Sequence, residues 1–174
     1  MKFTMVRSIV LGVSALVMAS SASAKPKGDT IVDVVIAANT SPPYAGSFDT
    51  LIAALQAADP AVLQTLSGNG QFTVFGPTDD AFAALNLDPG NVGSAFPQSK
   101  LTEILQYHVA HGRRAANSVT SAAQIRTLQG GFLKVSGTTL TDAVNRTANI
   151  IVTDIDASNG IIHVIDAVVL PYQP

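Results

Sequence analysis

The apolar positions of the chain follow two periods, one through its first half and another through its second. From residue 29 to about residue 107, hydrophobic residues recur three and four apart, which predicts amphipathic helices. Asp29 is placed to cap a helix through Ile31, Val32, Val35 and Ile36, and the turn formers between Asn39 and Gly46 end it. Ser47 is placed to cap a second helix, with Phe48, Leu51, Ile52 and Leu55 on one face. Asp59 followed by Pro60 predicts a third, carrying Val62, Leu63 and Leu66. Gln71 to Phe75 reads as a short strand, and Gly76-Pro77 turns it into a helix with Thr78 as cap and Asp79 and Asp80 in the first turn. Phe82 and Leu85 of that helix face the core. Asn86 to Pro97 reads as loop, and Lys100 to Tyr107 as a further helix that His108 and Val109 leave into a strand.

Beyond Gly112 the pattern changes to short alternating runs, which predict strands. A short helix is expected near Ser121 to Ile125. Strands follow at Phe132–Val135, Thr139–Thr141, Asn149–Thr153 and Gly160–Leu170, with Ser136-Gly137-Thr138 as a tight link between the first two. The last strand is apolar on both faces, so it is expected at the centre of a sheet covered from two sides. No internal repeat is present.

The amino terminus changes the picture. Lys2 and Arg7 precede an apolar run from Ser8 to Met18, and small residues lead to an A-x-A site at Ala22 and Ala24. That layout predicts a signal peptide over residues 1–24, cleaved before Lys25, and hence a secreted or periplasmic protein. Residues 25–28 form a leader, 29–171 a single domain and 172–174 a tail. Removing Lys2 and Arg7 from the ten basic residues leaves eight against twelve acidic ones. With no basic stripe, nucleic acid is not an expected partner. The chain has no cysteine, so an exported fold must hold without disulfides. The carboxyl end Val168–Pro174 carries no long hydrophobic anchor signal.

Three segments resemble the fasciclin domain family. The first is Phe72 to Phe82, with Gly76 where alanine is usual; the second is Leu105-Gln106-Tyr107-His108-Val109, with the family's Tyr-His pair. The third is Asn159-Gly160-Ile161-Ile162-His163-Val164-Ile165-Asp166, closing with Val168 to Pro171. The resemblance implies an α+β fold, a wedge-shaped β-sandwich with several helices packed along one edge. It implies cell adhesion or matrix interaction through protein partners, an integrin-like receptor among them, with no cofactor. In animal relatives the Tyr-His pair and an Asp-Ile pair are proposed integrin contacts, which makes Tyr107, His108, Asp154 and Ile155 the candidate partner-binding residues here. Thr78, Asp79, Asp80, Phe82, Asn159, Gly160, His163 and Asp166 are the expected structural motif. A monomer is expected.

For Tyr107 and His108 the structural reading comes first, a packed ring and a buried hydrogen-bond partner, with His108 placed to bond the Thr78 cap. Asp154 and Ile155 alternate on a strand, so only one of them can face the core. Asp154-x-Asp156-x-Ser158 begins like a calcium loop, but Asn159 stands where glycine is wanted and Ile165 where the bidentate glutamate belongs. His108, His111 and His163 are too sparse for zinc, and no nucleophile pairs with a base, so neither a metal nor catalysis is expected. Arg113-Arg114 is a small basic spot, a candidate for an anion though two loop arginines are commonly solvated. Asn39 and Asn145 match the glycosylation acceptor pattern. An alternative class is a carrier for a small apolar ligand held where the helices meet the sheet.

Overall fold

The computed structural model describes residues 28–172. The expected signal peptide, most of the leader and the last two residues lie outside the described residues.

Seven helices cover the first two thirds of that span. They are α1 (Ile31–Thr40), α2 (Asp49–Ala57), α3 (Pro60–Leu66), α4 (Asp79–Ala83), α5 (Val92–Ala95), α6 (Gln98–Tyr107) and α7 (Ala116–Thr120). Helix α1 is capped by Thr30 and not by Asp29. The Thr30 hydroxyl accepts from the Asp33 amide while the Asp33 carboxylate accepts from the Thr30 amide, a reciprocal box available only one residue later. Ser47 does not cap α2. Phe48 holds that position, and the free amides of Asp49 and Thr50 are taken by the Asp79 carboxylate at 3.2 and 2.8 Å. Asp59 caps α3 as expected, accepting from the Ala61 amide. The stretch read as loop holds α5, which carries fully buried Val92 into the core.

The helix expected near Ser121 to Ile125 is absent. Helix α7 ends at Thr120, and Gln124–Arg126 forms β3, whose exposed-buried-exposed pattern sets Ile125 inward against its partner Leu133. The other strands are β1 (Phe72–Pro77), β2 (Val109–His111), β4 (Phe132–Ser136), β5 (Thr139–Thr141), β6 (Thr147–Ala157) and β7 (Gly160–Ile165). They form one sheet of order β2-β1-β7-β6-β5-β4-β3, in which β7 runs parallel to β1 and antiparallel to β6. The expected hairpin joins β4 to β5, with Ser136 opposite Thr139 and Gly137 at φ +60 between them.

Strand β7 stops at Ile165, five residues short of its expected end. Asp166 and Ala167 bend away, and the buried Val168–Leu170 segment bonds side chains instead of a ladder: the Val169 amide donates to His108 and the Leu170 amide to Asp142. The double-sided burial of β7 is as expected, and alternation explains it. Ile162 and Val164, with Phe72 and Val74 of β1, face a core shared with α1 to α6; Ile165 and Phe75 face a second core with Tyr107, Ile125, Leu133 and Leu140. That second core is enclosed because the sheet rolls until its border strands meet. Ala110 bridges Thr127, and the Leu128 amide donates to the Val109 carbonyl at 2.7 Å. The fold is α+β, with α1 to α6 on one side of a sheet that is nearly a barrel and α7 lending Val119 to the second core.

Candidate functional site

The three motif segments meet around β1 and β7. In the first, Thr78 occupies the N-cap position of α4, but its hydroxyl makes no capping bond. Asp79, expected to serve its own helix, turns to α2, while Asp80 stays exposed and Phe82 is buried. The motif therefore joins two helices.

Tyr107 and His108 lie in the interior, 0% and 3% exposed, so neither ring is offered to a partner by the native surface. The end of α6 places them there, since β2 begins at once and draws both residues beneath the sheet. The Tyr107 hydroxyl donates to the Phe132 carbonyl at 2.8 Å, and burial pushes its pKa up to about 12. His108 does not reach Thr78. Its Nδ1 sits 2.8 Å from the Ile104 carbonyl and must donate, so Nε2 is the acceptor for the Val169 amide at 3.2 Å. The ring is thereby held neutral, and burial lowers its pKa to about 4 against the smaller opposing effects of the Ile104 carbonyl and Asp142.

Asp154 and Ile155 sit where β6 slips against β7. Val152 pairs with Val164 and Ile155 with Ile162, so three steps on β6 match two on β7, which is a bulge. Asp154 takes up the extra residue at φ +59, a conformation aspartate tolerates. Its side chain is exposed, and Oδ1 accepts from the Ala116 amide at 2.8 Å. Its own amide points inward to His163 Nδ1 at 3.3 Å. Ile155 is half-buried and packs against the helical core.

His163 is fully buried. Its Nε2 lies 2.9 Å from the Arg114 carbonyl and donates, which leaves Nδ1 to accept from Asp154. Its ring stacks on Phe75 at 5.8 Å, and the Phe75 amide donates to the His108 carbonyl at 2.8 Å. The Tyr-His and Asp-Ile pairs, with His108 and Asp154 46 residues apart in the chain, are thus linked through β1 and β7 in three steps of contact.

Asn159 and Gly160 form the turn that follows. Buried Asn159 accepts from the Ile31 amide at 2.8 Å and donates to the carbonyls of Leu66 and Gly68 at 2.6 and 2.9 Å, serving the start of α1 and the end of α3 together. A Cβ on Gly160 would collide with the Phe72 carbonyl oxygen and lie 2.7 Å from Ile31 Cδ1, so only glycine fits. Asp166 closes the other end, accepting from the Asn149 amide and side chain at 2.6 and 2.9 Å.

One support is absent from the sequence-based expectations, and a second residue, Arg113, has a different role from the anion contact expected of it. Asp142, 2% exposed, accepts from the amides of Val144, Arg146 and Leu170, fixing the β5–β6 loop to the carboxyl segment. The Asp-x-Val-x-Arg spacing could have suggested an Asx turn there. Arg113 is not a free loop cation: it donates to the carbonyls of Ala157 and Gly160 and pairs with Asp156 at 2.7 Å. Among the described residues no group of three or more His, Asp and Glu is arranged to hold a metal ion.

The Fasciclin domain family model matches residues 46–171. The chain is similar to Protein sll1483 of Synechocystis, at 40% identity over 97% of this chain and 94% of that protein. It is 33% identical to Immunogenic protein MPB70 of Mycobacterium bovis over 88% of this chain and 79% of that one. To the transforming growth factor-beta-induced protein ig-h3 of Sus scrofa it is 34% identical over 84% of its length, spanning 20% of that larger protein. Among solved structures it resembles a FAS1 domain pair from the insect cell adhesion molecule Fasciclin I, with a TM-score of 0.57, 23% identity, and coverage of 71% of this chain and 45% of that one. That likeness concerns the fold. Helix α1 precedes the matched range yet packs into the same core, with Ile31 1% exposed.

Proposed function

The chain belongs to the fasciclin domain family, and from that membership we propose that it is an exported, non-catalytic adhesion or protein-interaction module. The folded unit runs from residue 29 to 171, works as a monomer, and follows a signal peptide cleaved after Ala24. Its partner is a cell-surface or matrix protein. No helix among the described residues is long and apolar enough to cross a membrane.

The observation that carries this reading is the Asp154 bulge. An exposed carboxylate stands on a left-handed backbone whose amide donates to His163, while the carboxylate itself accepts from the Ala116 amide. Such preorganisation suits a charged contact, because a partner then orders little on binding. Ile155 supplies a half-buried apolar border beside it. Tyr107 and His108 act from beneath, as parts of the packing that sets β1 and β7 in place. The carrier alternative has less to stand on: the cavity where α1, α2 and α6 meet β1, lined by Ile31, Val35, Leu51, Phe75 and Leu105 among others, is about 20 Å³, the size of a water.

A deletion strain scored for attachment to surfaces or host cells, rescued by added protein, tests the proposal. Wild type is expected to restore attachment and Asp154→Asn to fail at an unchanged melting temperature, since asparagine keeps the left-handed backbone and the Ala116 bond while losing the charge. Equal rescue removes Asp154 from the contact, and a deletion without an attachment defect removes the adhesive role.

A further inference from the structure

The seam where β2 meets β3 holds a cleft of about 340 Å³ lined by His111, Arg114, Arg126, Thr127, Leu128 and Gly130. Three of the six lining residues carry nitrogen donors of basic character and none is acidic. The seam itself brings them together. The Ala110–Thr127 bridge sets the next antiparallel pair, His111 and Arg126, across from each other, although 14 residues of chain lie between those two.

Arg114 enters from the segment after β2 with its backbone fixed on both sides. Its amide donates to the Thr73 hydroxyl at 2.9 Å, and its carbonyl accepts from His163 at 2.9 Å. Its guanidinium, by contrast, is unspent: Nε is buried and has no hydrogen-bond partner. Among the described residues no carboxylate pairs with Arg114 or Arg126, whereas neighbouring Arg113 is fully engaged by Asp156 and two carbonyls. A buried guanidinium donor left unpaired beside a second free guanidinium costs stability unless an acceptor arrives from outside the chain.

We propose that this cleft binds a small tetrahedral oxyanion, a phosphate or sulfate group, free or as a monoester. Two planar guanidinium forks and an imidazole lining one cleft match a multiply charged group with several acceptor oxygens better than a single carboxylate, which one fork would satisfy. The cleft is also roomier than a bare ion, at the lower bound of volumes that hold small organic ligands, so an ester group has space beside Leu128 and Gly130. The site lies on different residues from Asp154 and stands whether or not that residue contacts a protein.

Calorimetric titration of the folded protein with inorganic phosphate, inorganic sulfate and glucose 6-phosphate, against sodium chloride at matched ionic strength, tests it. Saturable binding is expected, weakened about 10-fold or more by Arg114→Gln and by Arg126→Gln and unchanged by Lys100→Gln on α6. Tighter binding of glucose 6-phosphate than of inorganic phosphate would assign an ester as ligand, and equal binding the free ion. Arg126 is exposed on a strand, so its replacement keeps the fold, and for Arg114→Gln the melting temperature in chloride alone should hold or rise once the unpaired donor is gone. No saturable binding to wild type, or equal affinity in all three variants, overturns the proposal.

Discussion

The Val169 amide donates to His108 Nε2 across 61 residues of sequence, and this bond exists only while the imidazole is neutral. Protonation would put a hydrogen where the amide hydrogen already points. In the unfolded chain the ring titrates near its ordinary 6.5, and in the folded chain burial lowers it to about 4. Between those values the unfolded state binds the extra proton, so stability is full above pH 6.5, falls as the pH drops towards 4, and levels off below. The loss attributable to this ring is about 3 kcal/mol. Denaturant unfolding of His108→Gln between pH 4 and 7 should show lower stability at pH 7 and a shallower slope than wild type; parallel slopes would assign the acid sensitivity elsewhere.

Asn159 is predicted to be among the most sensitive polar positions. Replacement by alanine strands the Ile31 amide and the Leu66 and Gly68 carbonyls in the interior and should cost about 2–4 kcal/mol in urea unfolding. Aspartate keeps the acceptor for Ile31 but loses both donations and buries a charge, so it is expected to do no better.

Two glycines should respond in opposite directions. Gly160→Ala forces a methyl into the Phe72 backbone and is expected to destabilise by about 3 kcal/mol. Gly76→Ala meets only Ile162 and Leu51 side chains at 3.7 Å and removes a flexible residue from a strand, so a gain of about 0.5–1 kcal/mol is expected. Thermal melts of the two variants decide both.

The adjacent carboxylates of α4 separate by function. Asp79→Ala should lower stability by about 1–2 kcal/mol, because the first turn of α2 loses its acceptor. Asp80→Ala, on an exposed position, should fall within about 0.5 kcal/mol of wild type. Comparable losses from both would mean that the dipole of α4, and not the link to α2, sets their contribution.

Much of the framework was legible from local pattern. The apolar spacing of α1, α2, α3 and α6, the Asp59-Pro60 start and the glycine link between β4 and β5 are each encoded within a few residues. The unbroken apolar run of β7 correctly implied cover from two sides, although nothing local marked its end at Ile165, which is set by Asp142 and His108 capturing the amides that follow. Caps were harder because their acceptors come from afar. Asp79 serves a helix about thirty residues upstream and Asn159 one 128 residues upstream, so each resembles a purely local motif until the fold is known. Strand β3 is hidden because a single apolar residue, Ile125, marks it and no tight turn announces its pairing with β4, whereas Gly137 announces that of the equally short β5. At the candidate site, the exposure of Asp154 depends on a register slip that the alternating pattern conceals, and the placing of Arg114 and Arg126 on one cleft follows from a seam that no spacing encodes.

Because Ala110 and Thr127 stitch the rim of the sheet to itself, and the Leu128 amide is spent on the Val109 carbonyl, the border strands β2 and β3 cover one another where they meet. A visiting peptide or a second copy of the chain finds little vacant ladder at that seam to extend. Recognition along it has to be written in side chains, where it can be specific, and the same stitching works against growth into fibres edge upon edge.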